Sequence, residues 1–174
     1  MVSKRTATPL LLSILREDVT DAVMLWECGK ALVQTGVTGP AVTQLLRMLR
    51  HGSLEQRKMA AWTLGMGSVS AAARAALERT LSSKTEHADV RAQAAEGLGT
   101  LARKASLPVL HHALTDAESK IRFWAAYALG EIGDRRALAA LQTLTKDRTK
   151  VEGFGTVGSE ARSAIGRIVQ RASG

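Results

Sequence analysis

One short phrase returns along this chain at a near-constant interval, and it constrains the fold more than any other feature. Arg57-Lys-Met-Ala-Ala-Trp-Thr-Leu64-Gly65 aligns without gaps on Arg91-Ala-Gln-Ala-Ala-Glu-Gly-Leu98-Gly99 and on Arg122-Phe-Trp-Ala-Ala-Tyr-Ala-Leu129-Gly130. A weaker copy is Gly158-Ser-Glu-Ala-Arg-Ser-Ala-Ile165-Gly166, and a degenerate one runs from Leu25 through Cys28-Gly29 to Ala31-Leu32. The anchors Leu32, Leu64, Leu98, Leu129 and Ile165 lie 32, 34, 31 and 36 residues apart. A period of this size belongs to stacked helical repeats, in which each unit buries its apolar face only against its neighbours.

The residues within the phrase explain why it repeats. Paired small residues (Ala60-Ala61, Ala94-Ala95, Ala125-Ala126) precede each anchor and let neighbouring helices approach closely. Apolar residues eight before the anchor (Met24, Val90, Ile121, Val157) continue the buried stripe at helical spacing. The glycine after the anchor weakens helix propensity, so its return argues for tight packing at that point.

A second, amphipathic set of helices lies between these: Leu45-Leu46-Leu49, Leu77 with Leu81, Val109-Leu110 with Leu114, and Leu138-Leu141-Leu144. Pro40 and Pro108 fall near the starts of two of them, where a missing N–H costs little, and Asp134 is placed to cap the helix beginning near Arg135. Each repeat is therefore a helix A, a turn and a helix B, with Leu10 to Leu15 in the first helix A. The expectation is ten helices in antiparallel pairs with no sheet, in a single domain over residues 1–174. The repeats are expected at roughly 8–36, 37–68, 69–102, 103–134 and 135–171.

Composition agrees with this reading. Hydrophobic residues make up 45% but aromatics only 3%, so the core must be aliphatic and rich in alanine. Cys28, the single cysteine, excludes an internal disulfide and fits a cytoplasmic setting. Lys4-Arg5 followed by Thr6 to Leu15 imitates a signal peptide, but Pro9, Ser13 and the following Arg16-Glu17-Asp18 fit a first helix better. No apolar run reaches the roughly 20 residues of a membrane span.

The run Ile121-Arg122-Phe-Trp-Ala125-Ala126-Tyr-Ala128-Leu129-Gly130-Glu-Ile132-Gly133-Asp134 resembles the repeat of the phycobilisome-lyase-type HEAT-like family. The match is close in the third and fourth copies, fair in the second and poor in the first and last. The resemblance implies a right-handed α-α superhelix of about five helix-pair repeats. It also implies that the recurring arginine (Arg57, Arg91, Arg122) is structural, bonded to carbonyls or to acids such as Asp116. It leaves activity open, because that family includes scaffolds, lyase subunits and hydroxylases.

Candidate chemistry is sparse. Gly153-Phe-Gly155-Thr-Val-Gly158 has the form G-x-G-x-x-G, but a dinucleotide site needs a preceding strand and a βαβ unit, and neither is expected. The bland alternative is an inserted loop that lengthens the last spacing. His51, His87, His111 and His112 form no H-x-x-x-H pair, and the His-Glu dipeptides of iron-binding HEAT-like hydroxylases are missing. Cys28 stands where other copies have alanine and reads as a small buried side chain. No catalytic residue, metal or cofactor is indicated.

The resemblance implies that side chains six, five and two before each anchor, and two after it, face a concave groove. Five of the six aromatics occupy those positions, Phe154 alone lying outside them. The candidate partner-binding residues are Trp26, Lys30, Lys58, Met59, Trp62, Met66, Glu96, Phe123, Trp124, Tyr127 and Glu131. Met59, Trp62, Met66, Phe123, Trp124 and Tyr127 are expected to be at least partly exposed, because exposed aromatic and methionine side chains make binding hot spots.

The net charge of +8 lies elsewhere, on helix A and loop residues such as Arg47, Arg50, Arg79, Arg103, Lys104, Arg135 and Lys146. The favoured reading is a non-catalytic scaffold that binds a protein or peptide in the groove. Nucleic acid on the basic outer face is the alternative, with a bilin lyase subunit a third reading suggested by the family alone.

Overall fold

Alanine, leucine and arginine carry most of the chain into helices, and polar caps decide where those helices begin. The computed structural model describes residues 4–16, 21–68 and 70–173; side chains are described for 9–15, 21–68 and 70–172. Glu17 and Asp18 lie outside the described residues. Ten α-helices follow in order: α1 (Lys4–Arg16), α2 (Ala22–Thr35), α3 (Gly39–His51), α4 (Leu54–Gly67), α5 (Ala71–Ser82), α6 (Ala88–Leu101), α7 (Leu107–Ala113), α8 (Ser119–Ile132), α9 (Leu138–Leu144) and α10 (Val157–Ser173). Short 3-10 turns, Lys104–Ser106 and Arg135–Ala137, lead into α7 and α9.

The boundaries have local causes. Asp21 accepts from the Met24 N–H at 3.0 Å, and Ser53 with Gln56 forms a reciprocal capping box on α4. Pro40 and Pro108 sit in the first turns of α3 and α7. Gly133 ends α8 with φ of +72°, and Asp134 then accepts from the Arg136 N–H at 3.0 Å.

The even-numbered B helices pack on one another in sequence order, α2 on α4, α4 on α6, α6 on α8 and α8 on α10, and each A helix covers its own B helix. The fold is an all-α solenoid of about five stacked helix pairs. Leu32, Leu64, Leu98 and Leu129 are completely buried along its axis. The glycine after Leu64, Leu98 and Leu129 marks where adjacent B helices meet. A Cβ on Gly65 would lie 2.2 Å from Gly97 Cα, on Gly99 2.8 Å from Ala128 Cα, and on Gly130 2.8 Å from Ala164 Cα. Gly65, Gly99 and Gly130 thus each face the residue just before the next repeat's anchor, and any larger side chain would force the helices apart.

The recurring arginines bind turns together. Arg57 donates to Gly52 O at 2.8 Å and to Glu86 at 3.2 Å. Arg91 donates to Leu81 O at 3.0 Å and pairs with Asp116 at 2.5 Å. Arg122 donates to Asp116 O at 2.8 Å and pairs with Asp147 at 2.8 Å. In each case the guanidinium joins a carbonyl in the approach to its own helix B with an acid in the next repeat's turn. Burial alone would raise the Asp116 carboxyl, but hydrogen bonds from Arg91, Lys84 and the Glu118 N–H outweigh it and hold it well below the usual carboxylate range.

Three expectations need correction. Lys150–Val151 (β1) and Gly155–Thr156 (β2) pair antiparallel between α9 and α10, so the chain carries a small hairpin where no sheet was expected. Gly153 and Gly155, with φ of +77° and +110°, supply the positive angles that its turn needs. Met24 is 49% exposed rather than buried, because α2 has no earlier B helix beside it in the described chain. Ile165 is only partly buried and Gly166 faces open space, because α10 has no later one.

Candidate binding site: an aromatic cleft on the B-helix face

The B helices turn one face into the stack and leave the opposite face open. The third repeat is small there, with Ala92 in α6 where α8 carries Phe123 and α2 carries Trp26. Larger side chains on either side therefore stand as walls. A cleft of about 560 Å3 results, lined chiefly by Trp26 and Trp62 at one end, by Trp124 and Phe154 at the other, and by Ala92, Gln93 and Glu96 between them.

The walls are built from ring contacts. Trp26 and Trp62 meet edge to face with centroids 5.7 Å apart. Trp124 lies 5.4 Å from Tyr127 and 5.1 Å from Phe154, again edge to face. Trp62, Met66, Trp124 and Tyr127 are partly exposed, as expected. Met59 and Phe123 are buried instead, at 0% and 4% exposure. Met59 fills the space left by Gly29 on α2, and its Sδ accepts from Thr63 Oγ1 at 3.2 Å. Phe123 is covered by Trp124 and by Phe154, whose ring centroids lie 5.4 and 5.8 Å away.

Phe154 is the residue that repeat positions could not reveal. It sits on the hairpin, 58% exposed, and the hairpin folds its ring onto the α8 aromatics. The available signal was an aromatic between two glycines in the repeat with the longest spacing. A strand does precede α10 within the G-x-G-x-x-G run, but as half of an antiparallel hairpin with no βαβ unit. The Gly158 N–H at the start of α10 donates to Asp147 O at 2.8 Å.

Charged groups around the cleft differ in how they are paired. Lys58 is bonded to Glu55 at 2.8 Å and Lys120 to Asp89. Lys30 is exposed and bonded to Glu27 at 2.5 Å. Glu131, beyond the cleft, pairs with Arg167 at 3.1 Å and with Arg171 at 3.2 Å. Glu96 has no cationic partner among the described residues. Its pKa is raised by burial, an effect only partly offset by a hydrogen bond from Gln93. The Gln93 side-chain oxygen is itself buried and receives no hydrogen bond.

Other candidate chemistry stays dispersed. Cys28 is buried in the core, with its thiol pKa raised by burial and then by Glu27. Among the described residues, no group of three or more His, Cys, Asp and Glu side chains is placed to hold a metal ion, and no helix is long and apolar enough to cross a membrane.

Comparison with known proteins agrees with the helical-repeat fold. A family profile described as HEAT repeats matches residues 74–152. Human deoxyhypusine hydroxylase superposes with a TM-score of 0.53 at 28% identity, over 65% of this chain and 43% of its own. The complex of CpcE and CpcF of phycocyanin lyase from Nostoc gives 0.59 at 28% identity, over 72% of this chain and 53% of the other. The fold is a HEAT/armadillo-type solenoid. A computationally designed armadillo repeat protein for modular peptide recognition supports the fold alone, with a TM-score of 0.61 at 19% identity over 90% of this chain and 80% of its own. The chain spans about half the length of these natural proteins, 43% and 53% respectively. No curated protein sequence matches it.

Proposed function

We propose that this chain is a non-catalytic scaffold that takes up a segment of another protein, or a peptide, along the open face of its B helices. One observation carries the reading: partly exposed indole rings flank a cleft whose floor is made of small and polar side chains. Rigid aromatic anchors around a desolvated pocket are where binding energy concentrates in protein interfaces. Continuous packing from one B helix to the next, with much sparser contact between A helices, curves such a stack toward the B side. Of the residues proposed for the partner, Trp26, Lys58, Trp62, Glu96 and Trp124 line the cleft itself. Met66, Tyr127 and Glu131 extend its surroundings along the B helices, and Lys30 sits near the Trp26 end.

A random dodecapeptide library displayed on phage and selected on the immobilised protein tests this. Selected peptides should bind the wild type and lose at least tenfold in affinity on Trp62→Ala and on Trp124→Ala. Peptides indifferent to both changes, or no selected peptide at all, would overturn the groove reading.

A second reading has its own observation. Arg47, Arg50, Arg79, Arg103, Lys104 and Arg135 are exposed on A helices and turns, away from the cleft. For a merely solvated surface, binding to generic duplex DNA should be weak and fall steeply with salt. Submicromolar binding in a gel-shift assay at physiological salt would instead place nucleic acid on that outer face.

A further inference from the structure

The middle of the cleft has the chemistry of an arginine receptor. We infer that the groove, if it binds peptides as proposed above, recognises an arginine side chain of its partner at Glu96, with the guanidinium held between the aromatic walls of Trp62 and Trp124.

The floor supplies a carboxylate whose one side-chain donor is the neutral Gln93 amide. Glu96 and Gln93 sit one helical turn apart on α6, and both line the cleft. The carboxylate has no cation and the amide oxygen has no donor among the described residues. A partly desolvated carboxylate without a cation costs free energy, so the site favours a guest that is cationic and only donates. Guanidinium presents five N–H groups and no acceptor. Burial raises the Glu96 pKa, so a cation placed there would relieve that strain and hold the carboxylate ionised.

The walls match the same guest. A planar guanidinium stacks on indole faces more readily than an ammonium does and reaches a carboxylate with two parallel bonds. The cleft's two lysines do not oppose it outright, because Lys58 is committed to Glu55 and Lys120 to Asp89. Glu152, exposed on the hairpin at the rim, adds a second negative charge.

The molecule already contains this recognition unit two repeats away. The Arg167 guanidinium lies 5.4 Å from the centroid of the Tyr127 ring, and its nitrogens reach Glu160 at 2.6 Å and Glu131 at 3.1 Å. Aromatic face and carboxylates there are satisfied by an arginine of the chain itself. Arg167 stands two residues after its anchor and reaches back over the previous repeat; the fourth-repeat residue in that place, which would cover Glu96, is Glu131, an acid that gives Glu96 no such partner.

The peptides selected from the dodecapeptide library supply the test. They should be enriched in arginine at one shared position. Replacing that arginine by citrulline, which keeps shape and loses charge, should weaken binding at least tenfold in isothermal titration. Glu96→Gln should weaken the arginine peptide by a similar factor and leave the citrulline peptide almost unaffected, while circular dichroism shows an unchanged fold. Peptides that depend on Trp62 and Trp124 but carry no required arginine, or tolerate citrulline, would overturn this inference and leave the groove reading intact. Failure to select any Trp-dependent peptide would overturn both.

Discussion

At the scale of single residues, the arginine–acid links show how context decides the worth of a charge. Arg91 and Asp116 are both buried, with side chains 7% and 3% exposed, and together they fasten the approach to α6 to the turn before α8. Removing one partner strands the other in the interior. Asp116→Asn should therefore cost about 3 kcal/mol or more near neutral pH. The folded-state pKa of Asp116 is depressed, so its contribution is fully present above the unfolded value of about 4 and is lost as pH falls toward the folded one. Urea unfolding of the wild type and variant should show a stability gap that narrows steadily below about pH 4. A gap of constant size down to pH 2.5 would mean that the pair does not couple to folding as described.

At the scale of elements, glycine has opposite meanings at equivalent places on two B helices. Gly65 on α4 touches Gly97 on α6 backbone to backbone, whereas Gly166 on α10 has nothing within 4 Å. Gly65→Ala should force the two helices apart at a cost of about 1–3 kcal/mol. Gly166→Ala should stabilise α10 by about 0.5–1 kcal/mol, because alanine restricts the unfolded chain and meets no neighbour. Thermal melts of the two variants should therefore shift in opposite directions. The repeat pattern marked both glycines alike. Only the packing distinguishes a glycine that admits a neighbour from one that has none. The hairpin β1–β2 likewise reached its role through contact: its glycines announce a turn, but nothing local says that Phe154 lands on Trp124.

At the scale of the whole molecule, stability should be distributed along the stack, since each repeat is held only by its neighbours. The central helices α6 and α8 each have a B helix on both sides, whereas α2 and α10 have one on a single side. Native-state hydrogen exchange should find the slowest amides in α6 and α8 and faster ones toward α2 and α10. Leu98→Ala or Leu129→Ala, each emptying a fully buried site in those central helices, should cost about 2–5 kcal/mol in denaturant unfolding. The amino-acid sequence by itself determined the helical solenoid and the buried anchors Leu32, Leu64, Leu98 and Leu129, because both follow from residue types recurring at a helical period. The structural role of the arginines was implied by the family resemblance. The resemblance also implied that Trp26, Met59, Trp62, Glu96, Phe123 and Trp124 stand on the open face of the B helices. Which of those side chains stay exposed was decided by tertiary structure. Met59 sank into space left by a glycine on the preceding B helix, and Phe123 was roofed by a ring from the hairpin. The unpaired state of Glu96 was decided there too, since an ion pair depends on which side chains from other repeats come within reach, and a repeat pattern encodes position within one helix but not the company kept across several.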